Sequence, residues 1–213
     1  EMKIALARLA SPSLARSQAF AQERALRERM TFLAEASEIL SSSLDYHLTL
    51  SQLARLAVPG LADWCAIDMA GVDGEIERVA VAHQDPEKVR WARRLQEKYP
   101  PDPEAPHGVS QVLRSGEPEF LPTIQQELLD AAIGDDEELR RIVDELGLRS
   151  SICVPLVARG RTLGALTLIA AETHGPYTQA DFELALELGR RAAISVDNAR
   201  LFGVAEKGAN AAQ

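Results

Sequence analysis

Cysteine and long apolar runs are both scarce in this chain. Its two cysteines, Cys65 and Cys153, lie far apart, with no CxxC or Cys/His spacing among the 213 residues. That usage excludes a disulfide scaffold and the common zinc motifs, and it is typical of a reducing cytosol. The longest apolar run, 162–171, is far too short to cross a bilayer, and no signal peptide is present. We therefore expect a cytoplasmic protein with no membrane segment.

Positive charge is also in short supply. Acidic residues outnumber basic ones by 32 to 23, which gives a net charge of −9 and argues against nucleic-acid binding as the main function. The sequence contains no glycine-rich phosphate loop, HExxH or GxSxG, and no Ser/His/Asp grouping stands out. We expect no metal site and no catalytic activity.

What the chain does contain is an ordinary globular composition. The hydrophobic fraction is 46% and the charged fraction 26%, enough for one sizeable domain with attachments. The chain opens without an initiator Met and closes within a helical pattern, so we expect a segment of a longer protein.

Hydrophobic periodicity and turn signals predict the order of helices and strands. Pro12 predicts that the first long helix cannot reach back to Met2. Asp73-Gly74 predicts a tight turn between the first two strands, and Thr178 with Asp181 predicts a capping box. The predicted helices are 2–11, 17–43, 48–57, 85–98, 109–114, 124–132, 136–146 and 178–206; the predicted strands are 63–70, 75–83, 119–121, 150–158 and 162–171.

Hairpins at both ends of the strand order indicate an antiparallel sheet with segregated helices, an α+β fold. We expect the terminal helices to pack on one face of the sheet. The helical segment 84–149 would cover the other face, with a cavity for a small ligand between the sheet and this covering segment.

Four stretches resemble a GAF domain, the small-molecule and chromophore-sensing module of bacterial signalling proteins. They are ADWCAID at 62–68, LRSSICVPL at 148–156, GALTL at 164–168 and AISVDNARLF at 193–202. The stretch 83–88, HQDPEK, resembles the version found beside sensor histidine kinases and metal-dependent serine phosphatases.

The resemblance covers about residues 30–203 and implies a GAF-like antiparallel sheet. It divides the chain into an N-terminal linker and signalling helix (1–29), the GAF domain (30–203) and a C-terminal linker (204–213). It also implies a downstream kinase or phosphatase output domain, as in two-component systems.

The resemblance leaves the ligand unknown. Covalent bilin attachment and methionine sulfoxide reduction in this family use cysteines of the covering segment, and residues 84–149 have none. The cyclic-nucleotide pattern Asn-Lys…Phe-x-x-x-Asp-Glu is absent. A haem would need His83, His107 or His174, each of which lies at a strand end or in a loop rich in proline and glycine, where a solvated histidine is the commoner explanation.

Strand alternation selects the candidate ligand-binding residues. Cys65 belongs to the apolar face of the first strand, which we expect to meet the terminal helices, so we expect Asp68 to point to the cavity or to the adjacent strand. The same alternation puts Ser151, Cys153 and Thr167 on the cavity side. Three of them have a structural alternative: Asp68 as a hydrogen-bonded or rim-exposed carboxylate, Cys153 as an inert buried thiol, and Thr167 as a hydroxyl bonded to a backbone carbonyl.

Three further candidates lie near the covering segment. His83 follows the second strand, and Trp91 and Arg94 share one face of the next helix. Trp91 is a ligand platform or a core residue. Arg94 binds an anionic ligand or forms an ion pair with Glu87 or Glu97.

Two functions remain open. The first is a small-molecule sensor that relays binding through its terminal helices; the second is a ligand-free dimerisation spacer between signalling domains. The last helix carries two apolar stripes, one to cover the sheet and one that needs a partner: Phe182, Ala185, Leu186, Gly189, Ala193 and Val196, and Leu184, Leu188, Ala192, Ala199 and Phe202. The N-terminal helix of the same chain or a second copy can supply that partner, and we expect a homodimer formed through the terminal helices.

Overall fold

Seven helices and five strands make up the part of the chain described by the computed structural model, residues 2–71 and 75–211. Most of them lie where the sequence predicts them, with boundaries shifted by one or two residues. The predicted turn at Asp73-Gly74 lies outside the described residues. The elements are α1 (Met2–Ser41), α2 (Tyr46–Ala57), β1 (Trp64–Ala70), β2 (Ile76–Ala82), α3 (Pro86–Lys98), α4 (Gly108–Ser115), β3 (Glu119–Leu121), α5 (Gln126–Ile133), α6 (Glu137–Leu146), β4 (Ser150–Ala158), β5 (Arg161–Ala170) and α7 (Gln179–Ala211).

The prediction of a helix break at Pro12 is wrong, because α1 is one helix from Met2 to Ser41. A proline inside a helix removes one backbone donor and costs about 3 kcal/mol relative to alanine. Most other positions of α1 hold alanine, leucine, arginine or glutamate, which are among the best helix formers. Their summed preference over this long segment outweighs one unfavourable residue.

Capping side chains begin two of the helices as predicted. The Asp85 carboxylate accepts a hydrogen bond from the Glu87 N–H at 2.8 Å at the start of α3, with Pro86 in the first turn. Thr178 and Asp181 form the reciprocal pair at the start of α7, with the Thr178 N–H 2.8 Å from Asp181 Oδ2. Each cap satisfies backbone donors that have no partner within the helix.

The five strands form one antiparallel sheet in the order β2-β1-β5-β4-β3. Helices α2 and α7 pack on one face, here called the helix face. On the opposite face, here called the covering face, Val112 of α4 packs against Cys153 and Ala165, and α3 packs beside β2. The predicted α+β layers are confirmed, with α2 as the neighbour of α7.

The chain divides into two compact units. The first, up to residue 37, is the greater part of α1. The second begins at residue 38 and contains the sheet and the other helices. Within the second unit, the Ser195 hydroxyl of α7 donates a hydrogen bond to the Leu40 carbonyl at 2.7 Å, which ties the last turn of α1 to α7.

Gly164 of β5 pairs with Met69 of β1, and there is no room for a side chain at this position. A Cβ there would lie 2.5 Å from the Asp68 carbonyl oxygen and 2.7 Å from Met69 Sδ. We expect Gly164→Ala to lower the free energy of unfolding by about 2 kcal/mol, because backbone of β1 must move. Urea unfolding followed by circular dichroism measures this. Gly60→Ala, where an added Cβ meets nothing within 4 Å, is the control, and equal losses in the two variants would contradict the explanation.

Candidate ligand-binding site

Four predicted site residues share the covering face of the inner strands. Backbone pairing puts Thr167 of β5 opposite Cys153 of β4, and Asp68 and Ser151 lie on the same side of the sheet. Strand alternation therefore predicted their orientation correctly. Their role in ligand binding stays a prediction.

Helix α4 closes one end of the covering face. Val112 packs directly on Cys153 and Ala165, and Val109 lies beside it. The Thr167 hydroxyl donates a hydrogen bond to Cys153 Sγ at 3.3 Å. Cys153 is thus enclosed by protein side chains, and its neighbours make it a packed apolar residue of the fold.

Asp68 is held by an arginine that sequence reasoning missed. Only 1% of Asp68 is exposed, and its two carboxylate oxygens accept hydrogen bonds from Arg78 Nε at 2.8 Å and Nη2 at 3.2 Å. Burial raises the pKa of the Asp68 carboxyl, and the guanidinium opposes that rise. The Arg78 side chain stays 25% exposed. Asp68 therefore fixes the orientation of an arginine that reaches the surface.

A β-bulge brings Arg78 to Asp68. Ile67 pairs with Ala80, but the next residue, Asp68, pairs with Arg78, so Val79 is the extra residue of β2. Without that residue, alternation would turn Arg78 to the helix face. A bulge leaves no pattern in the sequence here, which is why alternation alone did not identify this partner.

Part of the covering face remains open above the inner strands. Four side chains there, called the inner-strand patch, are partly exposed although each lies on a strand paired on both sides: Ala66, Ser151, Thr167 and Ile169. Trp64 pairs with Ile169 and is 6% exposed, yet its indole N–H has no acceptor among the described residues. An unpaired buried donor costs free energy, so an acceptor supplied here by a ligand would be stabilising.

His83 lies beside this tryptophan. The two rings are tilted at 44° to each other with centroids 4.3 Å apart, and His83 Nδ1 accepts a hydrogen bond from the Asp85 N–H at 2.9 Å. His83 Nε2 is 3.5 Å from a carboxylate oxygen of Glu172. His83 therefore positions Trp64 and closes the end of β2.

The other two histidines considered for haem also have protein partners. His107 Nδ1 lies 2.8 Å from Glu119 Oε1, and His174 Nε2 lies 2.5 Å from the Pro59 carbonyl oxygen. These contacts hold each ring in place. Within residues 2–71 and 75–211, no group of three or more His, Cys, Asp and Glu side chains is arranged to hold a metal ion.

A separate cleft of about 480 Å³ lies between β2 and α3. Trp91 and Arg94, the candidates predicted on this helix, are not in its lining: Trp91 is half-buried and Arg94 is exposed. The neighbouring Arg93 does line the cleft. No residue of α3 is fully buried, so burial alone does not decide which of its arginines faces the cleft. The cleft is lined by Arg78, Val79, Ala80, Val81, Arg93, Gln96 and Glu97.

Both cysteine thiols are expected to be chemically inert in the folded protein. Burial raises the pKa of Cys65 to about 12 and that of Cys153 to about 12, and the thiolate is the reactive form. At pH 8 we expect neither thiol to react with Ellman's reagent in the native state and both to react in denaturant. One rapidly reacting thiol in the native protein would contradict inert packing and favour a redox role.

Both terminal helices expose apolar side chains. On α7, most residues of both predicted stripes are buried as far as Ala199, with Phe182 and Leu186 half-buried, so the stripe expected for a partner is largely covered within the chain; Ile194, Leu201 and Phe202 are exposed. On α1, Phe20 and Met30 are exposed.

Among the described residues, no helix combines the length and the hydropathy needed to span a bilayer.

The fold resembles several solved GAF domains at low sequence identity. One is the GAF domain of a putative sensor histidine kinase from Pseudomonas syringae pv. tomato, with 16% identity, a TM-score of 0.55, and coverage of 87% of this chain and 98% of that one. Another is the GAF domain of an Acinetobacter phosphoenolpyruvate-protein phosphotransferase, with 15% identity, a TM-score of 0.54, and coverage of 81% and 94%.

A third similar structure is an enzyme. It is the free methionine-R-sulfoxide reductase of Neisseria meningitidis in complex with its substrate, with 15% identity, a TM-score of 0.56, and coverage of 81% of this chain and 90% of that one. No curated protein matches the chain. At these identities, the likenesses establish the fold alone.

The sequence itself matches the GAF domain family model over residues 45–196. This stretch runs from the cap of α2 to the middle of α7 and includes the whole sheet, both cysteines, the inner-strand patch and the cleft. The match covers more than half of the chain. The observed antiparallel sheet and helical layers also agree with the fold that the sequence motifs implied. The chain belongs to the GAF domain family.

Proposed function

We propose that this chain is the sensory module of a cytoplasmic bacterial signal-transduction protein. A small molecule binds between the sheet and the covering segment 84–149, and the terminal helices relay binding to a kinase or phosphatase output domain. Family membership and the likeness to a GAF domain of a putative sensor histidine kinase support this proposal. We retain the domain limits 1–29, 30–203 and 204–213 as part of it.

The inner-strand patch carries the proposal. Side chains on inner strands beneath a covering layer are ordinarily sealed, whereas Ser151 and Thr167 keep partial exposure and hydroxyl groups. The unpaired indole N–H of Trp64 lies on the same face. Apolar surface with a few converging polar groups is what a small-molecule site requires.

The proposed relay from the ligand to α7 uses the two opposite faces of the same strands. β4 and β5 carry three of the four patch residues on one face and pack against α7 on the other. Gly189 of α7 lies so close to β4 that a Cβ added there would be 3.0 Å from Val154 Cγ2 and 3.3 Å from the Pro155 carbonyl. A ligand that binds one packing of these strands more tightly than another shifts the population of α7 positions.

The terminal helices also support a homodimer. Their exposed apolar side chains, Phe20 and Met30 on α1 and Ile194, Leu201 and Phe202 on α7, suit burial against a second copy. Ile194 and Leu201 are seven residues apart, which is the repeat of a helical bundle. We infer that a second copy of this chain covers them.

Native mass spectrometry tests the ligand and the dimer together. After incubation with a bacterial small-molecule extract, we expect a dimer carrying one extra mass per subunit that is lost on denaturation. Ser151→Phe fills the patch and should abolish the extra mass; Val157→Phe, at an exposed position of the same strand, should retain it. A chain that never acquires extra mass contradicts the sensor, and a monomer contradicts the dimer.

A ligand-free dimerisation spacer is the second candidate, and a specific observation favours it. Two of the predicted ligand-binding groups already have protein partners, since Asp68 is paired with Arg78 and Cys153 is packed against Val112. A dimer that carries no small molecule after the same incubation is the result expected of the spacer.

A further inference from the structure

The cleft between β2 and α3 runs along the open edge of the sheet. β2 is the last strand on its side, and four consecutive residues of it, Arg78 to Val81, line the cleft. Since consecutive strand residues point to opposite faces, a cleft that touches all four lies against the strand backbone. The extra residue of the bulge, Val79, is one of these four. A ligand here has access to main-chain groups as well as side chains.

Opposite charges line the α3 side of this cleft. Arg93 and Glu97 are one helical turn apart and exposed, and neither forms an ion pair among the described residues. Lys98 of the same helix, by contrast, is paired with Glu138 at 2.6 Å. The order Arg before Glu is also the less favourable one for an ion pair within a helix. Both charges are therefore available to a ligand.

Arg78 adds a fixed donor to these two charges. Its Nε and Nη2 are bound to the buried Asp68 carboxylate, which leaves Nη1 directed away from that pair. Because Asp68 cancels the charge of Arg78, two uncompensated charges remain in the cleft lining: a positive one at Arg93 and a negative one at Glu97. A bare anion would face Glu97, whereas a ligand with both charges satisfies the whole lining.

We propose that this cleft binds a small zwitterion of the amino-acid type. Its carboxylate contacts Arg93 and Nη1 of Arg78, its protonated amine contacts Glu97, and its remaining atoms lie along the β2 backbone beside the Gln96 amide. The proposal goes beyond the sensor function, because this cleft is separate from the inner-strand patch and shares no lining residue with it.

The test is nuclear magnetic resonance of the ¹⁵N-labelled full chain titrated with an equimolar pool of the twenty common L-amino acids. We expect amide shifts at residues 78–81 and 93–97. Arg93→Gln should weaken binding by about tenfold or more, the size expected for a lost charged hydrogen bond. Arg94→Gln, which removes the same charge from the adjacent exposed position outside the cleft, should leave binding unchanged.

Glu97→Gln separates a zwitterion from a simple anion. It should weaken binding of the amino-acid pool and strengthen binding of acetate, since it removes the contact to the amine and the repulsion of a carboxylate. The inference is overturned if residues 78–81 show no shift with the pool, or if Arg93→Gln and Arg94→Gln weaken binding equally. Shifts confined to Trp64 and the inner-strand patch would also overturn it and leave the sensor proposal standing. Shifts at residues 78–81 and 93–97 would uphold the site whether or not residues of α7 also shift.

Discussion

Replacing Arg78 by methionine is expected to lower the free energy of unfolding by about 3 kcal/mol at neutral pH, because the variant keeps the Asp68 carboxylate buried without its counter-ion. Asp68 is almost completely enclosed and accepts both of its side-chain hydrogen bonds from Arg78. Urea unfolding of the two proteins, followed by circular dichroism, measures the difference. The methionine side chain retains most of the apolar contact made by the arginine stem.

The loss in Arg78→Met should depend on pH. Without the guanidinium, burial alone acts on Asp68 and raises its pKa further above the unfolded value of about 3.9. An acid whose pKa is raised by folding contributes stability below its unfolded pKa and loses it as the pH rises through the folded pKa. The deficit should therefore be small near pH 4 and grow towards neutral pH.

A double variant separates charge burial from packing. Asp68→Leu combined with Arg78→Met replaces the ion pair by apolar side chains and should recover most of the lost stability, since removing both partners leaves no unpaired charge. An Arg78→Met deficit that is the same at pH 4 and pH 8 would contradict the electrostatic explanation. It would assign the loss to the changed packing around the bulge.

The orientation of the site residues followed from the sequence wherever strand pairing is regular. β4 and β5 pair residue for residue over the segment that holds Ser151, Cys153 and Thr167, so a period of two gives the correct face. The same rule fails across Val79, where one extra residue reverses the faces of β2. Bulges depend on the fit between neighbouring strands, and a single strand sequence does not contain that information.

Helix orientation was predictable only where burial is strong. On α7, apolar stripes correctly identified Leu188 and Ala193 as buried residues. On α3, no side chain is fully buried, and the spacing that grouped Trp91 with Arg94 did not identify Arg93 as the arginine that lines the cleft. The apolar side chains of α3 are only half-buried, so the face that they define is broad and the spacing alone did not decide between neighbouring arginines.

Contacts between residues far apart in sequence were the least predictable. Asp63 begins the first predicted strand, yet its main contacts are with a loop more than a hundred positions away. Oδ2 accepts hydrogen bonds from the N–H groups of Ala171, Glu172 and His174 at 2.7, 2.9 and 3.1 Å. Oδ1 accepts hydrogen bonds from the N–H of Thr173 at 3.1 Å and from its hydroxyl. One carboxylate thus organises the connection from β5 towards α7.

Asp63→Ala is expected to lower the free energy of unfolding by about 4 kcal/mol, because it leaves several backbone N–H groups of the 171–174 loop without an acceptor. Asp63 is 4% exposed, so water replaces these hydrogen bonds poorly. Thermal and urea unfolding measure the loss. Asp85→Ala is the matched control: it removes a carboxylate from an exposed helix cap and should cost about 1 kcal/mol.

The free energy of unfolding at acid pH shows whether the charge of the Asp63 carboxylate or the packing of its side chain holds the 171–174 loop. Burial by itself raises the pKa of Asp63, but the hydrogen bonds from the Thr173 hydroxyl and the backbone N–H groups outweigh that effect and hold the pKa well below its ordinary value. A lowered pKa gives stability that is present above the unfolded pKa of about 3.9 and is lost as the pH falls through the folded pKa. The gap in stability between the native chain and Asp63→Ala should therefore narrow below about pH 4. If the gap is as wide at pH 3 as at pH 7, the carboxylate charge is not what holds the loop, and the loss must come from the space left by the side chain.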